Sequence, residues 1–275
     1  MIGRNRRKVW LRCGEYGLAA LVVACGMLAQ KAMAQADCGE GNGTLDTSPP
    51  KNMGVTELIQ KFAAEETKVK RAREQYTYTQ DVLVQTLNDK AVDGQYHEVE
   101  TISYDAKGKR SETVTYAEQS TLRGISLSKD DMDDIRVFMP LVLGTEDLPE
   151  YNLTYAGEQH VDDLDTFVFH VVPKKEEKNK RYFQGKIWVD GHDLEIVKAC
   201  GKSVPETIHV KKRETQDLRP TFATYRQPVD AYWFPAFVKV DDTLYFKSGP
   251  VHVREIVKFT NYKKAGTAAA SAAKP

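Results

Sequence analysis

Residues 181–202, RYFQGKIWVDGHDLEIVKACGK, constrain the fold of this chain more than any other segment. Two runs rich in Val, Ile and Trp flank the sequence Asp190-Gly191-His192-Asp193. Because an Asp-Gly pair readily supplies the positive φ of a tight turn, the segment predicts two antiparallel β-strands joined as a hairpin. Its polar residues are not arranged as a nucleophile, a base or a metal cage, which favours binding over catalysis.

Alternating polar and apolar residues predict further strands on both sides of this hairpin. The alternation begins at Tyr76, continues to residue 116 and resumes over residues 151–172 and 221–262. The count is ten or eleven strands with two or three helices. So many sequential strands predict a mainly β domain of the α+β class, built as a curled antiparallel sheet or incomplete barrel.

Two segments have the pattern of helices. Thr56 is the predicted N-cap of the first, in which apolar residues keep a helical spacing up to Arg73. Ser128 is the predicted cap of the second, which is rich in Asp and ends before Pro140. The Asp residues lack the Gly and the final Glu of a calcium loop, so we interpret them as helix-start charges.

The N-terminus predicts export. A basic leader is followed by an apolar run, Gly17 to Ala29, and by Ala32-Met33-Ala34, the small-residue pattern of a signal peptidase site. Residues 1–34 are therefore predicted to be a signal peptide that is removed from a periplasmic protein. An alternative is acylation of Cys25, which lies in a lipobox-like sequence and would make the chain an outer-membrane lipoprotein.

Removal of the leader changes the charge and the cysteine count. The leader holds six of the 39 basic residues and one of the 39 acidic residues, so the remaining chain has a net charge of −5. A mildly acidic chain does not predict nucleic-acid binding. Of four cysteines only Cys38 and Cys200 remain, and in an oxidising compartment they predict one disulfide, the alternative being two free thiols.

Motifs for chemistry are not found in the sequence. The six histidines are scattered without the spacing of a helical zinc site, and there is no Cys-x-x-Cys, G-x-S-x-G, P-loop or dinucleotide fingerprint. We therefore predict no cofactor, no metal and no enzymatic activity. The strands are instead rich in aromatic residues that could line a cavity for an acyl chain. The candidate lining residues are Phe169, Trp188, Trp233, Phe237 and Phe246.

Three segments carry a resemblance to a known family. They are GKIWVD with LEIVK at residues 185–198, YWFP at 232–235 and VKFTNY at 257–262. These resemble the LolA/LolB-like periplasmic lipoprotein-carrier superfamily, especially its lipoprotein-sorting-like members from acidobacteria. The resemblance implies an incomplete β-barrel lidded by helices, with an apolar cavity, over residues 55–264. A flexible arm at 35–54 and a disordered tail at 265–275 would flank this half-barrel.

The leading functional expectation is a monomeric, non-catalytic periplasmic binding protein for acyl chains, such as a lipid or lipoprotein carrier. An alternative is an envelope sensor of the RseB kind, which would bind a membrane-protein partner. A third is an exported hydrolase, which would require a histidine beside a carboxylate in a cleft.

Overall fold

The computed structural model describes residues 38–39, 41–177, 180–205, 208–210, 213–215 and 218–265. The predicted signal peptide at 1–34 and residues 266–275 of the predicted tail lie outside these ranges. Neither helix in the described part of the chain has the length and apolar character needed to cross a membrane.

Thirteen strands are found among the described residues, and most of them fall in the runs that the alternating sequence predicts. They are β1 Asn42–Asp46, β2 Tyr76–Asn88, β3 Ala91–Tyr104, β4 Arg110–Ala117, β5 Tyr151–Val161, β6 Leu164–Pro173, β7 Tyr182–Asp190, β8 Ile196–Val204, β9 Ile208–Val210, β10 Arg213–Thr215, β11 Phe222–Val229, β12 Tyr232–Phe246 and β13 Gly249–Lys264.

Eleven of these strands build one antiparallel sheet, and β9 pairs only with β10. The order across the sheet is β1-β5-β6-β7-β8-β11-β12-β13-β2-β3-β4, so β1 and β4 are its two edges. The sheet is curled and does not close. The prediction of a mainly β, incomplete antiparallel barrel of ten or eleven strands is confirmed.

The hairpin predicted for residues 181–202 is present as β7 and β8, with Gly185 opposite Gly201 and Trp188 opposite Lys198. Its turn differs from the prediction, because the positive φ, 57°, belongs to Leu194 and not to Gly191. The carboxylate of Asp190 accepts hydrogen bonds from the backbone N–H of His192 and Asp193 and thereby holds the turn.

Helix α1, Val55–Arg73, packs against the inner face of the sheet. Its buried apolar side chains recur at helical spacing: Leu58, Phe62, Ala63, Val69 and Ala72. The N-cap is Gly54 and not the predicted Thr56, because the chain is extended at Gly54, whose carbonyl already accepts the first helical hydrogen bond, from Leu58.

Besides α1, residues 118–138 also lie over the inner face of the sheet, and we call them the covering segment. Residues 118–128 have no helix or strand; helix α2, Lys129–Asp133, follows, and a π-helical turn, Asp134–Phe138, completes the segment. The predicted cap at Ser128 is confirmed, because its hydroxyl accepts from the N–H of Asp131 while the Asp131 carboxylate accepts from the N–H of Ser128.

Residues 42–46, within the predicted flexible arm, form the edge strand β1. This strand pairs with β5, Asn42 lying opposite Val161. The predicted disulfide between Cys38 and Cys200 is present, with the two Cα atoms 5.7 Å apart. A cross-link and a strand pairing therefore hold part of the arm against the sheet.

The two faces of the sheet carry separate apolar clusters. The inner cluster joins α1, the covering segment and strands from β2 to β13; Phe62, Ile102 and Phe169 are among its fully buried members. The outer cluster lies on the opposite face around Trp188, Val168 and Cys200. Because residues from strands far apart in the sheet share the inner cluster, the sheet curls around it.

Candidate functional site

The candidate site is the inner face of the sheet beneath the covering segment. Here the fully buried Ile102 and Val84 of two neighbouring strands lie in the same apolar cluster as Ile135 of the π-helical turn. Half-buried apolar side chains continue this cluster toward the surface. They are Leu122, Ile125, Leu127 and Phe138 of the covering segment with Leu244 and Val251 of β12 and β13.

Polar contacts, in addition to apolar packing, hold the covering segment on the sheet. Arg136 forms ion pairs with Glu98, and with Glu100 at 3.2 Å, both on β3. The side-chain amide of Gln80 on β2 donates to the carbonyl of Arg136 at 3.1 Å. Burial raises the pKa of Glu100, and the guanidinium of Arg136 opposes that shift. Ion pairs therefore hold one side of the covering segment against β3.

The carboxylate of Asp134, also on the covering segment, faces two arginines. It lies 3.1 Å from Nε of Arg181 and 2.9 Å from Nη1 of Arg219. Burial raises the pKa of Asp134 to about 6 even though Arg181 favours the charged form. A second group of ion pairs thus ties the covering segment to the residue just before β7 and to the chain before β11.

Glu255 of β13 is the most unusual group at this site. It is fully buried, opposite Val84 on one neighbouring strand and Val240 on the other. Within the described part of the chain, neither of its carboxylate oxygens has a hydrogen-bond partner. Burial, with the nearby charges of Asp131, Asp134 and Asp242, raises the pKa of Glu255 to about 8. These surroundings favour the protonated, neutral form of the Glu255 carboxyl group.

The structure separates the five aromatic residues predicted to line a cavity. Phe169 lies in the inner cluster, fully buried, with its ring 5.3 Å from that of Phe62. Trp188 and Trp233 lie in the outer cluster, and Phe237 stacks at 4.5 Å on Tyr225, which packs against that same cluster.

Phe246 is half-buried at the end of β12 and belongs to none of the three apolar clusters found among the described residues. One ligand on the inner face could therefore contact Phe169 without reaching the two tryptophans. The ligand-binding roles of the five residues remain predictions.

The outer cluster surrounds a buried lysine. Nζ of Lys198 lies 5.0 Å from the ring centre of Trp188 and 5.1 Å from that of Tyr225. It donates to the side-chain oxygen of Asn42 at 2.8 Å, so the segment around β1 covers it. Because cations over aromatic faces are stabilised, this arrangement accounts for a lysine that is only 1% exposed.

Four histidines lie beside carboxylates, the arrangement that a hydrolase would need. They are His97 with Asp81, His160 with Asp165, His192 with Asp193 and His252 with Asp241, at 2.6–3.0 Å. His192 lines a cleft, but its side chain is 95% exposed. Among the described residues, no serine, threonine or cysteine side chain forms a hydrogen bond with these imidazoles.

One group of described residues has the geometry for a metal ion. Ligand atoms of Asp190, His192 and Asp193 lie within 4.8 Å of one another in the turn between β7 and β8. The Asp190 carboxylate accepts two backbone N–H groups there, and Asp193 accepts from the indole of Trp233 at 2.9 Å. The hydrogen bonds of the turn account for this grouping without a metal.

Neither Glu255 nor Arg136 was predicted from the sequence as a residue of the site. A signal for Glu255 exists, because Val253, Glu255 and Val257 alternate and must point to the same face of β13. Two inward valines on either side place the carboxyl group in the core. The pairing of Arg136 with Glu98 has no local signal, since 38 residues separate them.

No family model matches the chain, and no curated protein matches it. It is similar to a DUF1329 family protein from Desulfovibrio piger, with 16% identity over 80% of this chain and 95% of that one and a TM-score of 0.43. A LolA superfamily protein from Nitrosomonas europaea has 14% identity over 77% and 98%, with a TM-score of 0.30.

An outer membrane lipoprotein-sorting protein domain from Vibrio parahaemolyticus has 10% identity over 76% of this chain and 94% of that one, with a TM-score of 0.33. Two of the three descriptions, the LolA superfamily and the lipoprotein-sorting protein, carry the names of the superfamily that the sequence resembles. Because all three TM-scores lie below 0.5, the function is argued below from the chain's own residues.

Proposed function

We propose that the protein is an exported periplasmic binding protein for acyl chains, which it holds between the sheet and the covering segment. The observation that carries this proposal is the half-buried apolar group around Leu122, Leu127 and Phe138, which continues the inner cluster to the surface. Each buried CH₂ contributes about 0.8 kcal/mol, so one acyl chain inserted there would bind usefully and reversibly.

The covering segment, and not α1, is the part that would admit the chain. Helix α1 has 19 residues and seals the sheet with fully buried Leu58 and Phe62. The regular part of the covering segment is a five-residue α-helix followed by a five-residue π-helical turn. Short, irregular elements open locally at lower free energy than long packed helices.

The predicted export supports a periplasmic location for this binding activity. The predicted leader directs secretion, and the disulfide between Cys38 and Cys200 is the kind of cross-link that forms in an oxidising compartment. Lipoprotein and lipid transfer between membranes takes place in that compartment. A carrier role is therefore the specific form of binding that we favour.

A second candidate function is the binding of an envelope protein partner. The edge strand β4 favours it, because nearly all its side chains are exposed and include the apolar Val114 (52% exposed) and Tyr116 (47% exposed). An exposed edge strand can pair with an extended segment of another protein. In that case the apolar inner face would serve only as the core.

Native mass spectrometry of the protein purified from its own envelope tests the leading proposal. We expect a lipid or lipopeptide adduct on the protein. A fluorescent fatty acid should then bind about tenfold more weakly to Phe138→Ala, because contact surface is lost. Phe237 is a candidate lining residue from the sequence, but it lies on the outer face, so under this proposal Phe237→Ala is the matched control and should bind as the wild type does.

Two results would overturn the proposal. One is the absence of any lipid adduct together with no binding of the fatty acid; the other is equal weakening by the two Phe→Ala variants. A pull-down from envelope extracts that captures a membrane protein and no lipid would favour the partner-binding role instead.

A further inference from the structure

Three basic side chains lie together on the outer face, beside the disulfide. His170 of β6 is directly opposite Lys186 of β7, which is directly opposite Cys200 of β8. Lys202, two residues along β8 from Cys200, is opposite Gln184. Directly opposed and alternate residues point to the same face of a sheet, so all of these side chains project from one patch.

These residues line a cleft of about 540 Å³. The cystine side chains and Val172 supply apolar wall, and Gln184 and Thr221 supply neutral polar groups. No acidic residue is among the residues that line it in the described ranges. The described lining therefore contributes positive charge, although the chain, once its leader is removed, carries a net negative charge.

Lys186 lies at the centre of this group, directly opposite His170 on one side and Cys200 on the other. Burial, and then the charge of Lys186, lowers the pKa of His170. Neither the His170 nor the Lys186 side chain makes a hydrogen bond or ion pair with another described residue. An anion in the cleft would pair with the charge of Lys186 and would favour the protonated form of His170.

We propose that this cleft binds an oxyanion of the phosphate type, either free or carried on a lipid head group. Lys186 and Lys202 would donate charge-assisted hydrogen bonds to its oxygens, and Gln184 would add a neutral one. The apolar wall beside the lysines suits the glycerol and upper acyl region of a phospholipid. The site goes beyond acyl-chain binding, because it lies on the face of the sheet opposite to the inner cluster.

The test uses the mature, oxidised protein and two probes. Inorganic phosphate is titrated in a calorimeter, and phosphatidylcholine vesicles with and without phosphatidylglycerol are used in a sedimentation assay. The variant Lys186→Gln/Lys202→Gln removes the site. The matched control, Lys258→Gln/Lys263→Gln, makes the same change in charge at two exposed positions of β13. Circular dichroism and denaturant unfolding verify that both variants fold.

We expect the wild type and the control to bind, and the Lys186→Gln/Lys202→Gln variant to bind at least about tenfold more weakly, as the loss of charge-assisted hydrogen bonds predicts. Binding of phosphate itself would identify a site for the free anion. Binding only to vesicles with phosphatidylglycerol would identify a site for a head group. No binding to either probe, or equal loss in the two variants, would overturn the proposal.

Discussion

Glu66 of α1 and Arg226 of β11 form a bidentate ion pair, with both N–O distances at 2.8 Å and both side chains almost completely buried. The Glu66 carboxylate also accepts from the N–H of Ile196 at 2.9 Å, and Arg226 also donates to the carbonyl of Leu141. One ion pair therefore joins the long helix to two strands and to the chain that follows the covering segment.

Loss of one partner of this pair should strongly destabilise the fold. In Arg226→Met the carboxylate of Glu66 stays buried without its counter-charge, and we expect a loss of about 3–5 kcal/mol in the free energy of unfolding. Denaturant titration followed by circular dichroism measures it. In the double variant Glu66→Leu/Arg226→Met both charges are absent, so most of the loss should be recovered.

The exposed pair of Lys61 with Glu57 on the same helix is the control. Glu57→Gln should change the free energy of unfolding by less than about 1 kcal/mol, because exposed ion pairs contribute little. A small effect of Arg226→Met, comparable to that of Glu57→Gln, would contradict the structural role assigned to the buried pair.

Glu255 should make stability depend on pH. Burial raises the pKa of its carboxyl from the ordinary 4.5 to about 8, so between these values the folded state holds a proton that the unfolded state releases. Stability should therefore fall as pH rises from about 4.5 to about 8, by at most about 1.4 kcal/mol per pH unit from this group.

Glu255→Gln removes this contribution. Unfolding curves at several pH values should show that the free energy of unfolding of the variant rises relative to that of the wild type as pH rises. This difference should level off above about pH 8. Ser111→Ala, an exposed change that involves no titratable group, is the control and should give a difference that stays flat over the same range. A flat difference for Glu255→Gln as well would show that its carboxyl group is charged in the folded state.

The disulfide closes a long loop, since 162 residues separate Cys38 from Cys200. The chain-entropy model gives a stabilisation of about 5 kcal/mol for a loop of this length. We expect Cys38→Ser/Cys200→Ser to lose up to that amount in denaturant unfolding and to expose the chain near β1 to limited proteolysis. The reduced wild type is the control and should behave as the double variant does; equal stability with and without reductant would contradict the prediction.

Patterns within short stretches of sequence predicted much of the fold. The alternation from Tyr76 onward, the hairpin around Asp190 and the cap at Ser128 each depend on neighbouring residues, and all three are present. The disulfide followed from counting, because only two cysteines lay outside the leader. The overall class of curled antiparallel sheet then followed from the number of strands.

The arrangement of the site depends on which residues, distant in sequence, come into contact in the fold. The sequence alone does not show these contacts. Trp188 and Phe169 are both strand aromatics, but only the register of β6 against β7 shows that they point to opposite faces. The partners of Arg136 and Arg226 are 38 and 160 residues away, and no local pattern identifies them. Likewise, Leu194 takes the positive φ because the Asp190 side chain already holds the first part of the turn.

The cap at Ser128 should control how easily the covering segment opens. Ser128→Ala removes the hydroxyl that accepts from Asp131, at a cost of about 1 kcal/mol to the helix start. We expect faster hydrogen exchange of amides 129–138 and, if the acyl chain enters there, faster release of bound fatty acid. Ser111→Ala on the exposed edge strand β4 is the control and should change neither rate. Faster hydrogen exchange with unchanged release would place the acyl chain's route elsewhere on the sheet.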